Sequence, residues 1–190
     1  MNTKSVMIVG VGGQGSLLAS KLLGNLLINE GYDVKVSEVH GMSQRGGSVV
    51  TYVRYGEKVF SPIISESEAD IIISFEKLEA ARYSKYLKKD GVIVVNTQQI
   101  DPMPVIIGAA QYPDDVLSEL TEKGLNVEAL DALSLAEKAG SSKAVNIVLM
   151  GKAAKRFDIP YEKWILAIET TVAPKFVEMN KIAFDLGYNS

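Results

Sequence analysis

The chain has 190 residues, with 20 basic and 23 acidic side chains, one histidine and no cysteine. The absence of cysteine excludes a disulfide framework, a thiol nucleophile and an iron–sulfur cluster held by this chain, because such clusters need thiolate ligands. A single histidine excludes a histidine-rich metal site, and a net charge of -3 does not indicate a general affinity for nucleic acid or for membrane surfaces.

The length is typical of one domain, and we expect residues 1–190 to form a single one. No apolar run approaches the roughly 20 residues that span a bilayer. The first ten residues carry one lysine and a short apolar stretch that runs into Gly10, and they lack the long apolar region of a secretory signal. We therefore expect a cytoplasmic protein without membrane contact.

The first forty residues predict one βαβ unit. Residues 6–9 are an apolar run typical of a strand buried on both faces. After a glycine-rich turn, leucines between Leu18 and Leu27 recur at helical spacing, and Gly31 ends the predicted helix. Residues 34–38 then predict a second strand.

The next elements predict a hairpin and two further buried strands. Residues 48–55 are rich in β-branched and aromatic side chains, and with a turn at 56–58 and a short return at 59–60 they predict a hairpin attached to a parallel sheet. Residues 71–73 and 92–95 predict the buried strands, with a helix over 76–87 between them.

The second half alternates loops, helices and one more strand. Residues 98–113 hold three of the six prolines, which predicts a loop with a short strand at 104–107. The remaining predicted elements are a helix at 114–122, a strand at 127–130, and helices at 131–139, 143–156, 161–169 and 177–186. The fold class predicted is α/β: a doubly wound, mostly parallel Rossmann-like sheet with a β-hairpin insertion and a helical C-terminal third.

The glycine-rich turn G-V-G-G-Q-G satisfies the pattern G-x-G-x-x-G between a strand and a helix. Glycine lets an anion approach the backbone, and the N-terminus of the helix offers N–H groups and partial positive charge to a phosphate. The candidate cofactor-binding residues here are Gly10, Gly12, Gly13, Gln14 and Gly15. The alternative interpretation is a tight turn that binds no ligand.

Glu38 lies at the end of the second predicted strand, 23 residues after Gly15. In a dinucleotide-binding fold an acidic residue at this place accepts a hydrogen bond from a ribose hydroxyl. Glu38 is therefore a candidate cofactor-binding residue, and an ordinary solvated glutamate is the alternative.

The loop H-G-M-S-Q-R-G-G at 40–47 is expected to lie close to the glycine turn, because parallel strands end at the same edge of a sheet. Arg45 has a planar fork suited to phosphate or carboxylate, and Gly46 and Gly47 could form a nest that holds an anion. With Ser43, these are further candidate cofactor-binding residues, and a surface loop with a solvated arginine is the alternative. His40 has no partner visible in the sequence, and we interpret it as structural.

No self-contained set of catalytic groups accompanies these loops in the sequence. Asn96 and Thr97 follow a predicted strand at the edge where a ligand is expected, but their placement alone assigns them no role. We therefore predict no catalytic residue and no metal ligand in this chain.

Four stretches resemble a known family: G-V-G-G-Q-G at 10–15, S-E-V-H-G-M-S-Q-R-G-G-S-V at 37–49, E-A-D at 68–70 and V-V-N-T at 94–97. Over nearly the whole chain, the sequence resembles the small (beta) subunit of indolepyruvate:ferredoxin oxidoreductase, the counterpart of the gamma subunit of 2-oxoacid:ferredoxin oxidoreductases. The H-G-M-S-Q-R-G-G loop favours the indolepyruvate branch, since the pyruvate and 2-oxoglutarate branches tend to show a tyrosine-glycine-proline version of this loop.

The resemblance implies a cluster-free subunit of a hetero-oligomeric oxidoreductase, inactive on its own. A large partner subunit would bind thiamine diphosphate and iron–sulfur clusters and decarboxylate an aryl 2-oxoacid. The acyl group would pass to coenzyme A, and the electrons to ferredoxin through the large subunit. Whether the glycine turn contacts coenzyme A or only shapes the interface is left open. The alternatives are a gamma-type subunit for another 2-oxoacid, or a stand-alone module that binds a nucleotide or coenzyme A.

Overall fold

The computed structural model describes residues 3–40 and 47–190, with His40 described by its backbone alone. Six strands of these residues form one sheet in the order β2-β3-β1-β4-β5-β6. Their bounds are β1 Lys4–Val11, β2 Asp33–His40, β3 Ser48–Gly56, β4 Ala69–Ser74, β5 Leu87–Asn96 and β6 Val127–Leu130.

Helices pack on both faces of the sheet. Within the described ranges they are α1 Ser16–Asn29, α2 Lys77–Tyr83, α3 Met103–Ile106, α4 Val116–Glu122, α5 Ala132–Lys138, α6 Val145–Ala154, α7 Tyr161–Thr171 and α8 Val177–Tyr188. In this part of the chain no helix combines the length and the apolar character needed to cross a bilayer.

Alternate side chains of the central strands enter two separate apolar cores. In β1, Val6 and Ile8 face α1, α6, α7 and α8, while Met7 and Val9 face α2 and α4. All four side chains are fully buried, because the sheet is covered on both sides. This explains why the central strands are unbroken apolar runs in the sequence.

The helices α6 and α8 cross at close range through two glycines. A Cβ atom on Gly151 would overlap the carbonyl oxygen of Phe184, and one on Gly187 would overlap the carbonyl oxygen of Val148. Both obstacles are backbone atoms, which cannot move aside without displacing a helix. The contact therefore requires glycine at both positions.

The strand β3 lies between β1 and β2 and is antiparallel to both. The predicted return strand at 59–60 is wrong, since those residues form no strand. The hairpin is instead made by β2 and β3, which pair over their full length from Asp33 opposite Gly56 to His40 opposite Val49. The backbone N–H of Val59 donates to Asp33 Oδ2 at 2.8 Å, so the chain after β3 turns back to the start of β2.

Two other elements differ from the prediction. The strand predicted at 104–107 is the helix α3, in which Pro104 occupies the first turn, where a missing N–H has no cost. The helix predicted over 76–87 ends at Tyr83, and β5 begins already at Leu87, because that residue pairs with Ala69 of β4. The other predicted elements are confirmed, with bounds that differ by a few residues.

Candidate functional site at the carboxyl edge of the sheet

The glycine turn lies at the point where the sheet changes its winding direction. The strands β1 and β4 are parallel neighbours, and β1 continues into α1 on one face while β4 continues into α2 on the other. In open α/β sheets, the crevice that this arrangement leaves beyond the carboxyl ends of the strands is the usual ligand-binding place.

The turn itself requires three of its four glycines. Gly13 and Gly15 have φ angles of 100° and 87°, in the left-handed region that side chains disfavour. A Cβ atom on Gly10 would lie 2.9 Å from both Gln14 Oε1 and Phe75 Cβ. These glycines are therefore explained by the tight turn alone, whether or not a ligand binds.

The side chain of Gln14 ties the turn to the sheet. Its Oε1 accepts a hydrogen bond from the N–H of Val11 at 2.8 Å, and its Nε2 donates to the carbonyl of Phe75 at 3.0 Å. Nε2 also lies 3.4 Å from Gln98 Oε1. Because these bonds use both ends of the amide, the geometry favours a scaffolding role for Gln14.

Asn96 also has its polar atoms engaged inside the fold. It is fully buried, its Nδ2 donates to the carbonyl of Phe75 at 3.2 Å, and its Oδ1 accepts from the N–H of Ala132 at 3.1 Å. Thr97 is exposed, and its N–H donates to the carbonyl of Leu130 at 3.0 Å. Asn96 thus joins the ends of β4 and β5 to the start of α5.

The N-terminus of α1 borders a cavity of about 490 Å³, lined among others by Gly13, Gly15, Gln98 and Lys143. No side chain caps this helix end, where Gly15 is the N-cap residue. The first N–H groups of the helix and the Lys143 ammonium both favour a negative charge in this space. The cavity is therefore suited to an anionic group such as phosphate.

Gly47, which ends the second glycine-containing loop, contacts the glycine turn. The N–H of Gly12 donates to the carbonyl of Gly47 at 2.9 Å, and Val11 stands opposite Ser48 in the sheet. The candidates Ser43, Arg45 and Gly46 lie outside the described residues, so their proposed contacts stay predictions.

Glu38 is half-buried on β2, opposite Thr51 of β3. Because β3 separates β2 from β1, Glu38 is two strand spacings from β1, about 10 Å, instead of one. A dinucleotide site of the usual form has its acidic residue on the strand next to the glycine turn. The ribose-binding role of Glu38 stays a prediction, and this topology argues against it.

The sequence did not single out Glu76, a carboxylate that is only 1% exposed at the end of β4. Its Oε2 accepts from the N–H of Glu79 at 2.9 Å, which caps α2. Its Oε1 accepts from the N–H of Ile100 at 3.2 Å and from the hydroxyl of Tyr112. Burial, and then the hydrogen bond to Glu76, raise the pKa of the Tyr112 hydroxyl above its usual value. The signal that could have revealed Glu76 is an acidic residue directly after a buried strand and before a helix.

A second buried carboxylate, Glu79, binds the start of β3 to α2. Its Oε2 accepts a hydrogen bond from the hydroxyl of Ser48, and its Oε1 lies 3.1 Å from Arg82 Nε. Both carboxylates line a cavity of about 320 Å³, together with Gly47 and Met103 among others. Each has protein partners, so both carboxylates help to order this edge of the sheet.

A larger cavity of about 590 Å³ lies at the opposite, amino edge of the sheet. Its charged walls are largely paired with each other or with neighbours: Asp70 Oδ1 lies 2.9 Å from Lys88 Nζ and 3.5 Å from Lys4 Nζ, and Arg156 pairs with Glu128. We place the candidate site at the carboxyl edge instead, because the uncapped helix end and the strand-to-helix turns lie there. Among the described residues, no three histidine, aspartate or glutamate side chains form a group that could hold a metal ion.

Comparison with known proteins gives matches over almost the whole chain. The family model described as pyruvate ferredoxin/flavodoxin oxidoreductase matches residues 5–190. Indolepyruvate oxidoreductase subunit IorB of Thermococcus kodakarensis is 43% identical over 192 residues, which cover 98% of this chain and 95% of that protein. The common gamma subunit of the pyruvate/ketoisovalerate oxidoreductases of Pyrococcus abyssi is 26% identical over 174 residues, covering 90% and 88% of the two chains.

Solved structures show the same fold. The gamma subunit of a keto/oxoacid ferredoxin oxidoreductase from Geobacter sulfurreducens has a TM-score of 0.71 at 22% identity, covering 98% of this chain and 96% of that chain. A 2-oxoglutarate:ferredoxin oxidoreductase from Magnetococcus marinus has a TM-score of 0.75 at 16% identity. That match covers 100% of this chain but 31% of the longer one, so the fold occurs both as a separate chain and as part of a larger polypeptide.

Proposed function

The chain belongs to the pyruvate ferredoxin/flavodoxin oxidoreductase family, and we propose that it is the small, cluster-free subunit of an oxidoreductase for indolepyruvate and related aryl 2-oxoacids. One observation carries the choice of substrate class. The chain is 43% identical to an indolepyruvate oxidoreductase subunit along 98% of its length, against 26% for a pyruvate/ketoisovalerate gamma subunit.

The proposal divides the work between two chains. This chain has no cysteine with which to ligate an iron–sulfur cluster, and the carboxylates described at its carboxyl edge are engaged in ordering the fold. We propose that the clusters, and the thiamine diphosphate that the family resemblance implies, belong to a large partner subunit, where the oxo acid is decarboxylated and the electrons leave for ferredoxin. The same proposal includes a cytoplasmic location and a single domain over residues 1–190.

Coenzyme A is the ligand that we propose for the cavity beside α1. Its phosphate groups match the uncapped helix end and the Lys143 ammonium, and Gly13, where an added Cβ would meet no atom within 4 Å, leaves the backbone open to close approach. Ser43, Arg45 and Gly46 are proposed to add contacts from the neighbouring loop. We propose that Gly10 and Gln14 hold the turn in shape.

The test is to produce the chain together with the large subunit and to assay ferredoxin reduction in the presence of coenzyme A. Indolepyruvate, pyruvate and 2-oxoglutarate serve as substrates, and each subunit alone serves as a control. We expect turnover to require both chains and kcat/KM to be highest for indolepyruvate. A preference for pyruvate, or full activity of the large subunit alone, would contradict the proposal.

Calorimetry of the isolated chain separates the proposal from a stand-alone nucleotide sensor. Tight binding of NAD that is lost in Glu38→Ala would favour the sensor. For a subunit we expect no such binding. In the assembled complex we expect coenzyme A to contact Lys143. Lys143→Ala should therefore raise the KM for coenzyme A and leave the KM for the oxo acid unchanged.

A further inference from the structure

An apolar segment projects from the carboxyl edge beside the candidate site. We call residues 100–112 the arm; it contains the helix α3. Met103, Ile106 and Ile107 are 61%, 64% and 69% exposed, and residues 102–113 contain no charged side chain. Single exposed apolar side chains are ordinary on a protein surface, but a contiguous group of them indicates a binding surface.

The arm is held in place at both of its ends by one buried group. The carboxylate of Glu76 accepts hydrogen bonds from the N–H of Ile100 and from the hydroxyl of Tyr112. Within the arm, the N–H groups of Ala109 and Ala110 donate to the carbonyl of Pro104 at 2.8 and 3.0 Å, which closes the turn after α3. A segment ordered before binding loses little conformational entropy when it meets a partner.

The exposed charges next to the arm are mainly acidic, and the basic side chain Lys77 lies among them, with its Nζ 5.3 Å from the centre of the Tyr112 ring. Asp101, Asp114 and Asp115 are exposed and adjoin the uncharged stretch at its two ends. An apolar centre with a charged rim is the usual anatomy of a protein–protein interface. The matching surface would be an apolar groove with lysine or arginine side chains along its border.

We propose that the arm docks into such a groove on the large subunit of the oxidoreductase, an inference that rests on the proposed function. Phe75 and Glu76 are consecutive residues, and they hold the glycine turn and the arm respectively. A partner seated on the arm would therefore cover the carboxyl edge of the sheet, where the candidate site lies.

A second copy of this chain fits the arm less well. In a symmetric dimer the same surface of each copy takes part in the contact. An arm-to-arm contact would bring Asp101, Asp114 and Asp115 of the two copies towards each other. Lys77 offsets only part of this acidic charge, and like charges across an interface oppose association. The charge pattern thus favours a different chain with a basic rim.

The binding test uses the full chain and the purified large subunit, with affinity measured by biolayer interferometry. We expect Ile106→Asp and Ile107→Asp each to weaken binding by about thirtyfold or more, since a charge would enter the apolar centre of the interface. Ile182→Asp is the matched control, because Ile182 is 50% exposed on α8, against the other face of the sheet. The control should bind within about twofold of wild type, and unfolding midpoints of all variants show whether the fold is intact.

Charge reversal of the rim gives an independent readout. In the double variant Asp114→Lys and Asp115→Lys, we expect the association rate at low salt to fall about tenfold, while the dissociation rate changes little. The difference from wild type should shrink as salt is added.

Three outcomes would overturn the docking proposal, and they can be told apart. If the wild-type chain forms no complex with the large subunit, the proposed function fails and the docking proposal fails with it. If wild type and both isoleucine variants bind the large subunit equally well, the proposed function stands and the arm is not the docking surface. If the variants lose self-association instead, a second copy is the occupant.

Discussion

The side-chain amide of Gln14 donates a hydrogen bond to the carbonyl of Phe75 at 3.0 Å and so joins the turn after β1 to the end of β4. The same side chain accepts from the N–H of Val11 at 2.8 Å. Gln14 thus stabilises the point where the winding of the sheet changes direction. We expect its removal to lower the stability of the fold first, and to lower ligand affinity only as a consequence.

We expect Gln14→Ala to lower the free energy of unfolding by about 1–2 kcal/mol, because it leaves the N–H of Val11 without its partner and the carbonyl of Phe75 with the Asn96 amide alone. Urea denaturation followed by circular dichroism measures this change. Gln99→Ala is the control, since Gln99 is exposed on the same edge and should change stability by less than about 0.5 kcal/mol. Equal effects of the two substitutions would show that the Gln14 hydrogen bonds add no measurable stability.

A pair of glycine-to-alanine substitutions should have opposite signs. At Gly10 the new Cβ would lie 2.9 Å from Phe75 Cβ, and we expect a loss of about 1–3 kcal/mol from overpacking. At Gly24, inside α1, the nearest atom would be Val36 Cγ2 at 3.8 Å, an ordinary contact. There we expect a gain of about 0.5–1 kcal/mol from helix propensity. Thermal and urea unfolding of both variants check the signs, and a destabilised Gly24→Ala would contradict the packing described for α1.

The crossing of α6 and α8 should tolerate no side chain at its two glycines. Gly151→Ala and Gly187→Ala each force a helix backbone apart, and we expect each to cost about 3 kcal/mol or more. The double variant should cost less than the sum of the two, because one displacement relieves both overlaps. Strictly additive unfolding free energies would mean that the two contacts are independent.

Stability at alkaline pH should depend on the bond between Tyr161 and Asp185. The Tyr161 hydroxyl donates to the carboxylate, and this hydrogen bond, followed by burial, raises the pKa of Tyr161 to about 12. An unfolded tyrosine has a pKa of about 10. The stabilisation is therefore fully present below about pH 10 and is lost as the pH rises towards about 12. Urea midpoints between these pH values should fall more steeply for wild type than for Tyr161→Phe, and parallel curves would contradict this assignment.

The sequence predicts most helices and strands, because their apolar periodicity is strong, but it does not predict which strands are neighbours. The run at 48–55 is compatible with a hairpin either to the strand before it or to the residues after it. Only the observed pairing, from Asp33 to His40, shows that β2 is the hairpin partner. In α3, the β-branched residues favour a strand. The prolines at 102 and 104 instead support a helical turn, and no described strand pairs with it.

Local sequence patterns predict only part of the candidate site. The turn and its contact with Gly47 follow from strand ends that share one edge of the sheet. The role of Glu76 does not follow from local patterns, because its partners Ile100 and Tyr112 lie 24 and 36 residues further along the chain. A buried carboxylate with distant partners looks in the sequence like any acidic residue at the start of a helix.

One peptide unit separates the two groups that organise the carboxyl edge. The carbonyl of Phe75 holds the turn through Gln14, and the carboxylate of Glu76 holds the arm. If assembly shifts the arm and displaces Glu76, the neighbouring Phe75 and the turn bound to its carbonyl would move as well. Thermodynamic linkage then requires reciprocity: if assembly changes the affinity for a ligand at the turn by some factor, that ligand changes the affinity between the subunits by the same factor.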